Sequence, residues 1–218
     1  MGLLQNKDKK KIKDLFKQLA HEVTLVMFTQ EMECELCTTT RELLQEVATL
    51  SEKIKLRILD FVADRDEAEK YHVDKIPAIV LLGDKDYGIR FFGIPAGYEF
   101  MSLLEDIVDV SRRDPSLPKS MTAKLAKVDQ PIHLQVLVSP TCPHCPRAVR
   151  AAHRFAMASD FIRADMVEIA EFPHLVQKYD VQGVPRTIIN ETFHLVGALP
   201  DEIFLQEILN AVKKEKSN

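Results

Sequence analysis

Apolar and polar positions alternate in a way that predicts the same order of elements twice along the 218-residue chain. Runs rich in Val, Ile, Leu and Phe predict buried strands, and apolar residues at helical spacing predict helices. The first half is expected to have the order αβαβαββα. Its helices are predicted near 7–17, 37–50, 65–72 and 97–111, and its strands near 22–30, 53–60, 78–82 and 87–92.

The second half repeats this order after the segment Arg112 to Pro118, whose two prolines make it the best linker candidate. Cys34, Cys37, Tyr71 and Pro77 all have an identical residue 108 positions later. Such regular self-similarity indicates a duplicated unit. We therefore predict two domains, 1–113 and 114–218. The second is expected to have helices near 119–127, 145–159, 172–179 and 200–213 and strands near 132–138, 162–169, 187–189 and 193–196.

The four cysteines form two Cys-x-x-Cys pairs, Cys34–Cys37 and Cys142–Cys145, each between the first strand and the next helix of its half. The attacking species in disulfide exchange is a thiolate, and a helix N-terminus stabilises negative charge. Two cysteines on the first helical turn are close enough to form a disulfide, and the more exposed first one attacks while the second resolves the mixed disulfide. Cys34 and Cys142 are thus the candidate nucleophiles, and Cys37 and Cys145 the resolving thiols.

The two pairs differ in the charge of their neighbours. Acids flank the first pair and bases the second: Glu31, Glu33 and Glu35 against His144, Arg147 and Arg150. A nearby cation lowers the pKa of a thiol and a carboxylate raises it, and a stabilised thiolate makes the disulfide more oxidising. We therefore predict that Cys142–Cys145 is the more oxidising and more reactive pair. Among the histidines only His144 is a candidate for function, whereas His153 and His194 are expected on helix and strand surfaces.

Asp60 and Glu168, again 108 positions apart, end the second strand of each half. A carboxylate at this position is a candidate for relaying the proton of the resolving cysteine. The alternative is an exposed acid at the end of a strand, without a catalytic role.

Two αβαβαββα units with a dithiol after the first strand resemble the thioredoxin fold. Two such units in one chain resemble the glutaredoxin-like protein disulfide oxidoreductases of hyperthermophilic archaea and bacteria. The residues that carry the resemblance are the two Cys-x-x-Cys pairs, Pro77, Pro146, Pro185 and the stretch Phe-Phe-Gly-Ile-Pro-Ala-Gly at 91–97. The resemblance implies an α/β fold of two tandem thioredoxin-like domains, each a mixed four-stranded sheet flanked by helices. The dipeptide Glu35-Leu36 departs from familiar redox dipeptides.

The resemblance also implies roles for particular residues. Pro77 and Pro185 are expected to be cis and to lie against the dithiols, so that Ile76 and Val184 present their backbone to an extended substrate. Phe28 and Val136 occupy the position at which thioredoxin has a buried acid. The expected partners are protein disulfides and dithiols and a thioredoxin-reductase-type flavoenzyme. No cofactor beyond the redox-active disulfides is expected.

Composition gives the expected setting. A net charge of −4 gives no basis for a nucleic-acid partner. No apolar run approaches the roughly 20 residues that span a bilayer, and no signal peptide is visible, so a cytoplasmic protein without a membrane partner is expected. In the cytoplasm, paired cysteines are more often catalytic or metal-binding than structural.

Two other functions remain open from the sequence. Four thiolates can bind one zinc ion, although the 104 residues between the pairs far exceed the usual ligand spacing. The chain could also be an adaptor that passes electrons to one dedicated peroxidase.

Overall fold

The computed structural model describes residues 2–215, and the elements predicted from the sequence are all present. In the first half the helices are α1 (Asn6–Phe16), α2 (Cys37–Ala48), α3 (Arg65–Lys70) and α4 (Glu99–Arg112). The strands of this half are β1 (Val23–Thr29), β2 (Ile54–Asp60), β3 (Ala78–Leu82) and β4 (Asp86–Phe92).

The second half repeats the order of the first. Its helices are α5 (Lys119–Leu125), α6 (Cys145–Met157), α7 (Pro173–Lys178) and α8 (Asp201–Glu215). Its strands are β5 (Ile132–Val138), β6 (Ile162–Glu168), β7 (Arg186–Ile189) and β8 (Phe193–Val196). None of the described helices combines the length and the apolar character that crossing a bilayer requires. The boundary predicted at 113/114 lies between α4 and α5 and stays a prediction.

The strands of both halves form one sheet with the order β2-β1-β3-β4-β6-β5-β7-β8. The two predicted four-stranded mixed sheets are its two halves, which confirms the tandem fold. The halves join where β4 and β6 pair in parallel, with Phe92 opposite Val167. Strands β3 and β7 are antiparallel to the other six strands, so β1 and β5 point in the same direction.

Side chains alternate across each strand, and the helices cover both faces of the sheet. The larger apolar cluster contains side chains of α1, α2, α4, α5, α6 and α8, and the smaller one contains side chains of α3 and α7. In β1, Leu25 and Met27 belong to the first cluster, and Val26 and Phe28 to the second. Helices α2 and α6, which carry the dithiols, therefore lie on the same face.

The segment between β4 and α4 contacts the second unit directly. The Tyr98 amide donates to the Pro140 carbonyl oxygen at 3.2 Å. Gly97 has a φ of +60°, and a Cβ atom there would overlap the same carbonyl oxygen, so this close approach requires glycine. The repeated order of elements alone did not predict this contact, because its partners lie in different repeats.

Candidate dithiol sites

Each Cys-x-x-Cys pair is closed as a disulfide at the start of a helix. The Cα atoms are 5.4 Å apart in Cys34–Cys37 and 5.5 Å apart in Cys142–Cys145. The second cysteine of each pair is the first residue of α2 or α6. Strands β1 and β5 point in the same direction, and helices α2 and α6 cover the same face of the sheet. Both dithiols therefore lie at the end of the sheet where β1 and β5 have their C-termini.

Within each pair the first cysteine is the more accessible. Cys34 is half-buried and Cys142 is 9% exposed, whereas Cys37 and Cys145 are 1% and 0% exposed. This order of exposure supports attack by the first cysteine and resolution by the second, which remain predicted roles.

The two predicted cis peptide bonds are confirmed at Ile76–Pro77 and Val184–Pro185. The Val184 carbonyl oxygen lies 3.7 Å from the Sγ atom of Cys142. The backbone before Pro185 therefore faces the candidate nucleophile of the second pair, at the place where the substrate-binding role is predicted.

The basic residues near Cys142 differ in how far their charge is available to the dithiol. His144 and Arg147 are exposed, and His144 is the N-cap residue of α6 without a side-chain capping bond. Arg150 instead forms ion pairs with three carboxylates of α4, those of Glu105, Asp106 and Asp109. The sequence prediction counts Arg150 among the bases that lower the pKa of the Cys142 thiol. That part of the prediction is wrong, because these three acids compensate its charge.

His153 belongs to the same buried network between α4 and α6. Its ring is 0% exposed, which shows that the expected surface position is wrong. Burial, together with the nearby Arg150 charge, lowers the pKa of His153 to about 3. The neutral imidazole donates from Nδ1 to Asp106 Oδ2 at 2.6 Å. The helix that carries the second dithiol is thus fixed to the first unit by Asp106.

The acidic surroundings of Cys34 extend beyond its sequence neighbours. Glu31, Glu33 and Glu35 are all exposed, and Glu31 also forms an ion pair with Arg41 at 3.2 Å. A carboxyl group of the second unit, that of Glu171, interacts electrostatically with Glu35. The pKa of Glu171 is raised to about 7. Burial is the largest cause, and the charges of Glu168 and Glu35 raise the pKa further. No sequence signal pointed to this residue, because its repeat counterpart is Ala63.

Glu99 is a second buried carboxyl group that the sequence did not indicate. It is 1% exposed, and burial raises its pKa to about 7. Ser102 donates to Oε2 at 2.7 Å, while Oε1 has no hydrogen-bond partner among the described residues. Two helical turns farther along α4, Asp106 meets Arg150 and His153 of α6. The adjacent Tyr98 amide donates to the Pro140 carbonyl oxygen, so Glu99 lies close to the segment that leads from β5 into the second dithiol.

Asp60 and Glu168 accept hydrogen bonds from the turns that follow their strands. Asp60 Oδ1 accepts from the amides of Val62 and Ala63 at 2.9 and 2.8 Å. The Glu168 carboxylate accepts from the amides of Ala170 and Glu171 at 3.1 and 3.0 Å. Glu168 is 3% exposed, so the alternative of an exposed strand-end acid is wrong for it. Their proton-relay role stays a prediction.

The arrangement provides two separate dithiol–disulfide couples. Each pair is closed within its own unit. Among residues 2–215, no group of three or more His, Cys, Asp or Glu side chains is arranged to hold a metal ion. A dithiol at a helix N-terminus is suited to transfer two electrons by thiol–disulfide exchange.

Comparison with known proteins supports this interpretation. The family described as "Thioredoxin domain" matches residues 132–210. The structure of a protein disulfide oxidoreductase from Aeropyrum pernix superposes with a TM-score of 0.90 at 26% identity, covering 96% of this chain and 94% of that one. The structure of the alkylhydroperoxide reductase component AhpF of Enterococcus faecalis gives a TM-score of 0.88 at 26% identity, covering 94% and 99%.

A curated relative, an NADH dehydrogenase of Ferdinandcohnia aciditolerans, is 26% identical over 174 residues, which are 77% of this chain and 34% of the relative. The chain thus spans about a third of the length of that protein. The predicted resemblance is confirmed along nearly the whole chain by the two solved structures. The chain is a tandem thioredoxin-fold protein with two Cys-x-x-Cys sites, similar over nearly its whole length to a protein disulfide oxidoreductase and to AhpF.

Proposed function

We propose that this chain is a thiol–disulfide oxidoreductase that reduces, forms or reshuffles protein disulfides. The observation that carries the proposal is the geometry at Cys142. Cys142 lies three residues before α6 begins, its Sγ atom is 3.7 Å from the Val184 carbonyl oxygen, and it is paired with the fully buried Cys145. An extended substrate that binds the backbone of Val184 brings its disulfide to Cys142.

In the reducing direction, the Cys142 thiolate attacks one sulfur of the substrate disulfide. A mixed disulfide forms, and the other substrate sulfur leaves as a thiolate that takes up a proton. Cys145 then loses its proton and attacks the Cys142 sulfur, which releases the second substrate thiol and closes Cys142–Cys145. Two electrons pass to the substrate, and the reverse sequence oxidises a substrate dithiol. No cofactor beyond the cysteines takes part in these steps.

The second pair is the more reactive one in this proposal. His144 and Arg147 are exposed and lie within five residues of Cys142 in the chain, whereas Glu35 directly follows Cys34 and interacts with the Glu171 carboxyl group. A thioredoxin-reductase-type flavoenzyme is the proposed electron partner, and protein disulfides and dithiols are the proposed substrates. The proposed setting is the cytoplasm.

A second candidate function is electron transfer to one dedicated peroxidase. The similarity to AhpF of an alkylhydroperoxide reductase favours it, because that similarity covers 99% of the solved AhpF chain. The chemistry at the dithiols would be the same, and only the breadth of accepted partners would differ.

An activity panel tests both candidates. Insulin reduction and rescue of scrambled ribonuclease are compared with peroxide turnover beside a peroxidase. The wild type is measured with Cys34→Ser/Cys37→Ser and with Cys142→Ser/Cys145→Ser. We expect general dithiol activity to be lost only in the second variant. Activity confined to the peroxidase assay would favour the adaptor, and equal activity of both variants would remove the proposed ranking of the sites.

A further inference from the structure

We propose that Glu171, a residue of the second unit, is a positioning residue of the first dithiol. In this proposal its carboxyl group holds the segment beside Pro77, and its charge controls how readily Cys34 becomes a thiolate. The inference deepens the proposed function, since it concerns regulation of one of the two proposed redox sites, and it rests on that function.

The contact between Glu171 and the first unit is direct. Glu171 Oε1 accepts a hydrogen bond from the Ile94 amide at 2.6 Å. The adjacent Gly93 amide donates to the Pro77 carbonyl oxygen at 2.8 Å. The hydrogen bonds of two adjacent amides, those of Gly93 and Ile94, therefore link the Glu171 carboxyl group to Pro77, which follows the cis peptide bond and directly precedes β3.

Gly93 shows that this contact is closely packed. Its φ is +86°, and a Cβ atom there would lie 2.6 Å from Glu171 Oε1 and 2.8 Å from Glu168 Cβ. Only glycine satisfies both the left-handed backbone and this space. The first unit thus presents bare backbone to a carboxyl group of the second unit.

The second dithiol has no equivalent contact among the described residues, which makes it an internal comparison. Gly197 also donates to the proline carbonyl of its unit, at 2.9 Å from Pro185. A Cβ atom at Gly197, however, would meet nothing within 4 Å. The hydrogen bond from glycine to proline is thus present in both units. The Glu171 carboxyl group packs against this bond in the first unit.

The charged groups around Glu171 are predominantly acidic. Glu168 at the end of β6 and Glu35 before α2 both raise the pKa of Glu171, after the larger effect of burial. Lys75 lies over the Phe92 ring at 3.9 Å and 6.0 Å from the Phe172 ring, and it is paired with Asp74. His174 contacts Phe172 from α7.

Glu35 connects this cluster to the cysteines, because it lies between Cys34 and Cys37 in the chain. An ionised Glu171 adds a negative charge on the side where a Cys34 thiolate forms, and like charges disfavour ionisation. A pKa of about 7 means that Glu171 is largely neutral at pH 6 and largely charged at pH 8. The inhibition of Cys34 ionisation should therefore set in across this range.

The experiment measures the rate at which Cys34 reacts with iodoacetamide from pH 5.5 to 9. The full chain carries Cys142→Ser/Cys145→Ser and is fully reduced beforehand, so that the accessible thiol is Cys34. Glu171→Gln removes the charge and keeps an oxygen acceptor for the Ile94 amide, and Glu171→Ala removes both. Glu33→Gln is the matched control, since it removes an exposed charge one residue from Cys34.

We expect Glu171→Gln to react at the wild-type rate at pH 6 and about 3- to 10-fold faster at pH 8. Glu171→Ala should show the same pH-dependent gain, and Glu33→Gln a smaller gain without a transition near pH 7. A constant ratio of Glu171→Gln to wild-type rates across the pH range would overturn the proposal. Because a small alkylating reagent reports the result, failure here is distinct from failure of the activity panel.

Discussion

Arg150 of α6 donates to the buried carboxylate of Asp106 in α4, so the helix of the second dithiol is tied by charge to the first unit. Asp106 is 0% exposed and also accepts from His153. Arg150 additionally pairs with Asp109 at 2.5 Å and Glu105 at 3.1 Å. This contact between the units is centred on charged side chains.

Replacing Arg150 should destabilise the fold without changing the reactivity of Cys142. Arg150→Met leaves Asp106 buried without its main cation, and breaking a buried ion pair costs about 3–5 kcal/mol. Urea unfolding measures this loss, and the pH dependence of alkylation gives the Cys142 thiol pKa. The matched variant is Arg147→Met on the exposed face of the same helix. It should leave stability nearly unchanged and raise the Cys142 pKa, and the opposite pattern would contradict our assignment of the two charges.

The two nucleophiles can be distinguished by trapping. A Cys145→Ser variant lacks the resolving thiol, so a protein substrate with a disulfide should remain bound to Cys142 as a mixed disulfide. Cys142→Ser should trap at least about 10-fold less, because Cys145 is buried. Mass spectrometry of the trapped peptide identifies the linked cysteine. Equal trapping through Cys145 would show that the assigned order of attack is incorrect.

The reduction potentials of the two disulfides should differ in a definite direction. Bases near Cys142 stabilise a thiolate, and the acids near Cys34, now including Glu171, oppose one. One pKa unit of difference corresponds to about 30 mV for a two-electron couple. We expect Cys142–Cys145 to have the higher potential by at least about this amount. Equilibration of the two double-serine variants with dithiothreitol buffers at pH 7 measures both values, and a higher potential at Cys34–Cys37 refutes the ranking.

The elements are well predicted from the sequence because the two repeats share their apolar periodicity and their cysteine and proline positions. The contacts between the repeats could not be predicted in this way. Glu171 has Ala63 as its counterpart, so the repeat contains no hint of it. The surface position predicted for His153 is wrong because the polar face of α6 meets the acids of α4 rather than water. Side chains that act between duplicated units cannot be recognised from the internal repeat alone.

The pH dependence of the free energy of unfolding tests whether burial keeps the Glu99 carboxyl group protonated. Its carboxyl group ionises near 4.5 when exposed in the unfolded chain, and burial raises its pKa to about 7 in the folded chain. Between these values the folded state keeps a proton that the unfolded state has lost. The stabilisation is therefore complete below about pH 4.5 and is lost as the pH rises through 7.

Glu99→Gln should remove this dependence, because the amide is neutral at every pH and can still accept from Ser102. At pH 8 the variant should be more stable than the wild type by up to about 3 kcal/mol, which corresponds to the shift in pKa. At pH 4.5 the two should be nearly equal. Urea unfolding at pH 4.5, 6 and 8 measures the difference, with Glu207→Gln on the exposed side of α8 as the control for loss of one charge. A gain that is the same at all three pH values, or one that Glu207→Gln reproduces, would mean that Glu99 is not held protonated by burial.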